Sequence, residues 1–361
     1  EDGIRDSSVT GVQTCALPIL RRLLDEERPR RRRAHRSGPH AVRVRVATFN
    51  LESLDERTEH GVALEARAAA LRPVLESLRA DVLCLQEVNA QDSHGTRALS
   101  ALKTLLAGTS YERYTLAHTG HADGRPRDVH NIVTLSRVPF TKVRQVRHDR
   151  ITPPLVRECT AIPAPRDAGE VTWDRPILHT VLELNGAKVH LLNLHLRAPL
   201  PTVIRGQKES AFRWSSAAAW AEGFYVSSIK RNGQALEARV VVDELFDADP
   251  GARILVCGDL NAGEHEVPLA ILRATVEDTG NPALASRVLH DVEDAVPADR
   301  RFSVRHAGRP VLLDHILVSQ SVQSSVRSVE ILNRDLADEV TDAEQPLAGS
   351  FHAAVVAEFD L

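Results

Sequence analysis

The dipeptide Asn185-Gly186 stands between two apolar runs, ILHTVLEL (177–184) and AKVHLLNLHL (187–196). An Asn-Gly pair takes the left-handed backbone that a two-residue β-turn needs, and the twist of that turn matches antiparallel strands. The chain is thereby committed to a sheet, and an isolated hairpin is not stable in water, so partners must come from elsewhere. VRVRVATFN (42–50) alternates apolar and polar residues with period two, and DVLCLQEV (81–88) is the unbroken run of a buried strand. Further strands are expected at 130–137, 141–148, 252–261, 301–306, 311–319, 326–332 and 353–359. EARAAALRPVLESLRA (65–80) carries apolar residues at three- and four-residue spacing and predicts a helix that tolerates Pro73. A second, longer helical region is expected over 207–247, closing at Pro250-Gly251. Hairpins mixed with a few helices predict an α/β fold: a sandwich of mostly antiparallel sheets covered by helices.

With 361 residues, 43% of them hydrophobic, the chain can bury a large core. Residues 41–361 are expected to form one domain. Residues 1–40 read differently. SSVTGVQTCALPI (7–19) has no hydrophobic period and resembles a translated sequencing adapter, and the chain contains no Met. Residues 20–40, including RPRRRRAHRSG, read as a basic, disordered linker, with a nucleic-acid-binding arm as the alternative. The short apolar patch is broken by Pro18 and followed, not preceded, by basic charge, so no signal peptide is visible. No apolar run reaches the about 20 residues of a membrane span. The four cysteines are too scattered for a disulfide framework or a zinc site, and the net charge of −4 gives no global sign of a nucleic-acid partner. Localisation and oligomeric state stay open.

Polar residues recur where the strands end. Asn50 and Glu52 follow the first, Glu87 ends the second, and Asn193 and His195 close the hairpin's return strand. Asp259 and Asn261 follow ILVCG, Asp314 and His315 lie in VLLDHILVS, and His352 opens the last strand. Any one of them alone reads more readily as a turn former or a satisfied cap than as a catalyst. Together they describe a polar rim that needs positive charge, and oxygen-rich sites of this kind suit Mg2+ or Mn2+.

The segments ATFNLE, LCLQEV, NIVTLSR, NLHL, CGDLN, LDHILVS and SFHAAVV occur in that order over residues 43–361. In them the chain resembles the endonuclease/exonuclease/phosphatase superfamily. The resemblance implies a four-layer α/β sandwich of two mixed sheets and a metal-dependent phosphoesterase. Glu87 is implied as the metal carboxylate, with Asn50 offering an amide oxygen beside it and Glu52 as a neighbouring acid. Asp259 is implied to orient or deprotonate the attacking water, Asn261 to hold phosphate or water, and His195 to face the scissile phosphate. Abasic-site endonucleases generally lack that histidine, so NLHL tilts the expected substrate away from theirs. Asp314 is implied as the partner of His352, keeping the imidazole oriented and charged as a donor to phosphoryl oxygen. His315, pointing to the opposite side of its strand, is expected to be structural. Arg175 in WDRPILH is the expected guanidinium on phosphate, with Arg157 competing, and Asn131 is expected either on the site rim beside the substrate or as a structural residue.

One position departs. Where the family reads Ser-Asp-His, this chain reads Ser350-Phe351-His352. Phe351 removes a charge expected near the metal. Either hydrolysis persists with weaker metal binding, or the protein has moved toward a catalytically impaired binding role. The substrate, a nucleic acid or other phosphodiester ahead of a small-molecule phosphomonoester, must be set by loops around the shared centre. The most distinctive is 207–239, where Phe212, Trp214, Trp220, Phe224 and Tyr225 could stack bases or simply pack under a helical cover.

Overall fold

The structure is a computed structural model that describes residues 42–56, 61–93, 96–342 and 347–361. The reading of residues 1–40 as a linker with a scar lies outside the described residues. Twelve strands build two six-stranded sheets: β1 (Arg43–Leu54), β2 (Val82–Val88), β3 (Thr115–His118), β4 (Asn131–Ser136), β5 (Phe140–Val146), β6 (Ile177–Leu184), β7 (Ala187–His195), β8 (Arg253–Asp259), β9 (Leu289–Asp291), β10 (Asp314–Ser319), β11 (Val326–Ile331) and β12 (Val355–Asp360). The first sheet runs β11-β12-β1-β2-β4-β3 and the second β9-β10-β8-β7-β6-β5. Each has one parallel pair at its centre, β1 with β2 and β7 with β8, flanked by antiparallel neighbours.

Period-two alternation decides which residues meet. Val44 and Val46 of β1, with Val82 and Cys84 of β2, face Val189 and Leu191 of β7 and Leu255 and Cys257 of β8 in the core between the sheets. The other face of the first sheet (Ala47, Phe49, Leu83, Leu85) packs on helix α1 (Leu64–Leu78) and helix α2 (Ser100–Leu106). The other face of the second (Leu192, Leu194, Ile254, Val256) packs on Ala235, Ala238, Val241 and Val242 of helix α3 (Ala217–Ala248) and on helix α4 (Val267–Arg273). The result is helix, sheet, sheet, helix, the four layers expected. Among the described residues no helix is long and apolar enough to cross a membrane.

Three expectations change. The long helix starts at Ala217, not 207, because Ser216 caps it by accepting the Ala219 N–H, and the preceding segment folds back through a Lys208–Trp214 bridge. The aromatic residues of this region divide: Trp214 packs against the cluster of Ile204 and Val226, whereas Phe212 is 97% exposed and Tyr225 60%. Residues 301–306 and 311–313 do not extend the second sheet. Val304–His306 pairs instead with Arg309–Val311, while Ser303 Oγ accepts from the Leu313 and Asp314 N–H groups, so the sheet strand starts only at Asp314. Strands β3 and β9 and helices α2 and α4, too short for a clear period, were not foreseen.

Candidate active site

Following each central strand toward its carboxyl end, the residues between the sheets turn from apolar to polar. β1 runs Val44, Val46, Thr48, Asn50; β7 runs Val189, Leu191, Asn193, His195; β8 runs Leu255, Cys257, Asp259. A buried amide relay marks the change: the Gln86 amide nitrogen donates to Asn193 Oδ1 at 2.8 Å across the sheets, and Asn193 donates to the Val133 carbonyl at 2.9 Å. Glu87 breaks the alternation. Its φ of 59° is left-handed, and the β1–β2 and β2–β4 registers slip there. This bulge re-aims its carboxylate toward the centre.

Asp259 is fully buried, and its Oδ2 accepts from the amide nitrogens of Asn50 and Asn261, each at 3.0 Å. Its Oδ1 accepts the Asn261 N–H at 2.9 Å. Burial raises its pKa to about 7, with Asp314 adding to the rise while His352 and the two asparagines oppose it. His195 Nε2 lies 3.4 Å from Asp259 Oδ2 and 3.6 Å from Glu87 Oε1. Burial, then Arg175 and His130, hold this imidazole well below its ordinary pKa, so it is neutral. Glu87 goes the other way: burial opposes its charge, but His130, Arg175 and the Asn50 amide outweigh that and lower its pKa.

On the opposite side, His352 Nδ1 meets Asp314 Oδ2 at 2.7 Å, and its Nε2 is 4.0 Å from Asp259 Oδ2. Burial disfavours the charged ring, yet Asp314 and Asp259 together lift its pKa well above the ordinary value. The turn that carries it is fixed from below: Ser350 Oγ donates to the Asn50 carbonyl at 2.8 Å, and the buried Arg67 guanidinium of α1 gathers the Leu51, Glu52 and Gly349 carbonyls.

The structure brings Asn50, Glu87, His195, Asp259, Asn261, Asp314 and His352 together. Asn50 arrives in a different attitude from the one expected of a metal ligand. Its amide oxygen accepts the Glu52 N–H at 2.9 Å, so its NH2 faces Glu87 and Asp259. Asn261 likewise spends its NH2 on Asp259 and the Leu196 carbonyl, which makes it a support for Asp259. Glu52 is half-buried beside the centre; burial raises its pKa to about 7, opposed by His352. Arg175 reaches His130 Nδ1 at 2.9 Å and the Leu196 carbonyl at 3.1 Å and borders Glu87, whereas Arg157 is exposed. Asn131 does not reach the rim: its amide is consumed by the Arg127 backbone and the Val88 carbonyl. His315 is structural, as its place in the alternation implies, with Nε2 on the Ala262 carbonyl at 3.0 Å. Phe351 is buried, 7% exposed. Sequence reasoning missed two neighbours. Ser53 donates to Glu87 from both its N–H and its hydroxyl, and His130, with a left-handed φ of 55°, bridges Ser53 and Arg175. Only the position of His130 at the head of HNIVTLSR hinted at it.

A divalent cation fits these donors. Glu87, His195 and Asp259 each bring a ligand atom within 4.8 Å of the others, as do Asp259, Asp314 and His352. Two buried carboxylates converging on one neutral imidazole leave negative charge that a cation would balance.

Solved structures share this architecture at low identity. Truncated TDP2 of Caenorhabditis elegans matches with a TM-score of 0.51 and 17% identity, covering 90% of this chain and 99% of its own. An endonuclease/exonuclease/phosphatase of Bacteroides vulgatus matches at 0.52 and 16%, covering 89% and 99%, and a mannosyl-6-phosphatase of Bacteroides thetaiotaomicron at 0.52 and 16%, covering 87% and 98%. Among curated proteins no sequence matches the chain. The family model described as endonuclease/exonuclease/phosphatase matches residues 47–342, from the middle of β1 past β11. With the polar ends of two parallel strand pairs facing each other across the sandwich, the chain belongs to the endonuclease/exonuclease/phosphatase family.

Proposed function

We propose that the protein is a divalent-metal-dependent phosphoesterase that cleaves a phosphodiester by in-line attack of water. The observation that carries this reading is the convergence of Glu87, His195, Asp259 and the His352–Asp314 pair on one buried point. Glu87, with Asp259 and His195 nearby, would hold Mg2+ or Mn2+, which supplies charge neutralisation for the phosphoryl oxygens. Asp259, held by Asn50 and Asn261 and raised toward neutrality, accepts the proton of the attacking water. His352, kept charged by Asp314, donates to a phosphoryl oxygen as negative charge grows there. Arg175 adds a guanidinium on the Glu87 side.

A diester is favoured over a simple monoester by the surroundings. Arg97, His121, Arg127, His130, Arg175 and Arg197 line a cavity of about 470 Å³, opposed among the described residues by Asp128 and Asp174. It joins the centre through His130 and Arg175. Among the described residues, the buried Nε groups of Arg127 and Arg197 have no hydrogen-bond partner. A substrate carrying a second phosphate beside the scissile one, as a nucleic acid does, matches this charge.

Purified protein assayed with Mg2+ or Mn2+ on bis-p-nitrophenyl phosphate, p-nitrophenyl phosphate, plasmid DNA and inositol phosphates tests the reading. Hydrolysis of a diester is expected, falling by about 10²–10⁴ in Asp259→Asn. No hydrolysis of any of these substrates, or an unchanged rate in that variant, overturns it.

A further inference from the structure

Behind Asp314, on the helix-covered face of β10, lies a second group of ionisable side chains that the phosphate site does not use. Asp291 ends β9, Glu293 sits in the 3-10 turn that follows, and His315 is the residue after Asp314. All three are at least nine-tenths buried: Glu293 is 0% exposed, and the side chains of His315 and Asp291 are 1% and 8% exposed.

Each spends one polar atom on the fold. Asp291 Oδ2 accepts from Arg273 Nη1 at 2.7 Å, Glu293 Oε1 accepts the Ile316 N–H at 2.7 Å, and His315 Nε2 meets the Ala262 carbonyl at 3.0 Å. Among the described residues, each leaves its other atom without a hydrogen-bond partner: Asp291 Oδ1, Glu293 Oε2 and His315 Nδ1. A carbonyl only accepts, so Nε2 must carry the ring proton, and Nδ1 presents a lone pair. One ligand atom from each of the three residues lies within 4.8 Å of the others, and the unpartnered Asp291 Oδ1 and His315 Nδ1 are 3.8 Å apart. Arg273 offsets the Asp291 carboxylate, whereas burial, with Asp291 beside it, pushes the Glu293 carboxyl well above the usual carboxylate range, so a bound cation is what would hold it ionised.

We propose that Asp291, Glu293 and His315 form a structural site for a divalent transition ion, Zn2+ before Mn2+, separate from the phosphate centre. One neutral imidazole and two carboxylates are a ligand set that Zn2+ accepts. Mg2+ keeps several waters, for which a closed interior site is ill suited. The hydrogen bond that fixes the His315 tautomer is the support that metal-bound histidines receive from outside the ligand shell. An ion here would tie the edge strand β9 and its turn to β10 one residue from Asp314.

The test separates this site from the other. The full chain carrying Glu87→Gln and Asp259→Asn, which disables the phosphate centre, is dialysed against metal-free buffer and its metal content measured by mass spectrometry. Retention of about one equivalent of Zn2+ is expected. Adding Glu293→Gln and His315→Gln to that background removes it. In the unmutated chain, chelation is expected to lower Tm by several degrees and added Zn2+ to restore it. Co2+ in place of Zn2+ is expected to give a visible absorption band that the His315→Gln chain lacks. A chain that holds no Zn2+ in the Glu87→Gln, Asp259→Asn background, and whose Tm neither chelator nor added Zn2+ moves, overturns the proposal and leaves the phosphoesterase reading untouched.

Discussion

His352 and Phe351 pull the phosphate centre in opposite directions. The imidazole gains a buried carboxylate partner, while its neighbour places a phenyl ring where the family resemblance implies an acid. Phe351→Asp is expected to lower the Mg2+ concentration for half-maximal hydrolysis by on the order of tenfold, and to lower Tm, because a carboxylate replaces a buried ring. Unchanged metal demand and rate would place Phe351 away from the metal. Asp314→Asn tests the pair itself. The raised pKa of His352 means its stabilisation is full below the unfolded imidazole pKa and is lost as pH rises through the folded value. The variant is therefore expected to lose more Tm in mildly acidic than in alkaline buffer, and the alkaline limb of kcat/KM to move to lower pH. Equal Tm losses at both pH values with an unshifted limb would separate the two residues. The charged members of this centre were legible because each borders an apolar run, at its end or its start. Asn50 was legible in place but not in attitude, since only the folded backbone shows its oxygen taken by the Glu52 N–H. Asn131, an amide at a strand start, carried the same signal as the site residues and yet serves the Arg127 backbone.

Strands were read more accurately than helix starts, because period two survives in short segments whereas the beginning of α3 depended on one capping serine. The close passage of β7 and β8 shows what the pattern cannot announce. Gly258 has a φ of 147°, and a Cβ there would stand 1.9 Å from the Leu194 carbonyl oxygen. Gly258→Ala is expected to destabilise the protein by about 3 kcal/mol, seen as a lower denaturation midpoint, and to cut hydrolysis by displacing the adjacent Asp259. Retained stability with full activity would mean that the two strands can separate without disturbing the carboxylate. The bulge at Glu87 was equally silent in the sequence: strict alternation would send that side chain toward α1, and the left-handed residue turns it back.

Across the molecule, the layers and the mixed sheets followed from the strand pattern and from the family resemblance, but the strand order did not. Nothing in VRVRVATFN says that it pairs with AAVVAEF some three hundred residues later, because backbone pairing is nonspecific in sequence and only packing of the finished sandwich selects it. That pairing has a consequence for the timing of synthesis. Asn50 bonds to Asp259 209 residues away, and Ser350 bonds to Asn50 300 residues away. A nascent chain can complete α1 and the β6–β7 hairpin early, yet it holds an open phosphate site until β12 has emerged and docked beside β1. The proposed ability to hydrolyse a phosphate ester would then arrive only with residues 350–360, after the whole of the second sheet has been made.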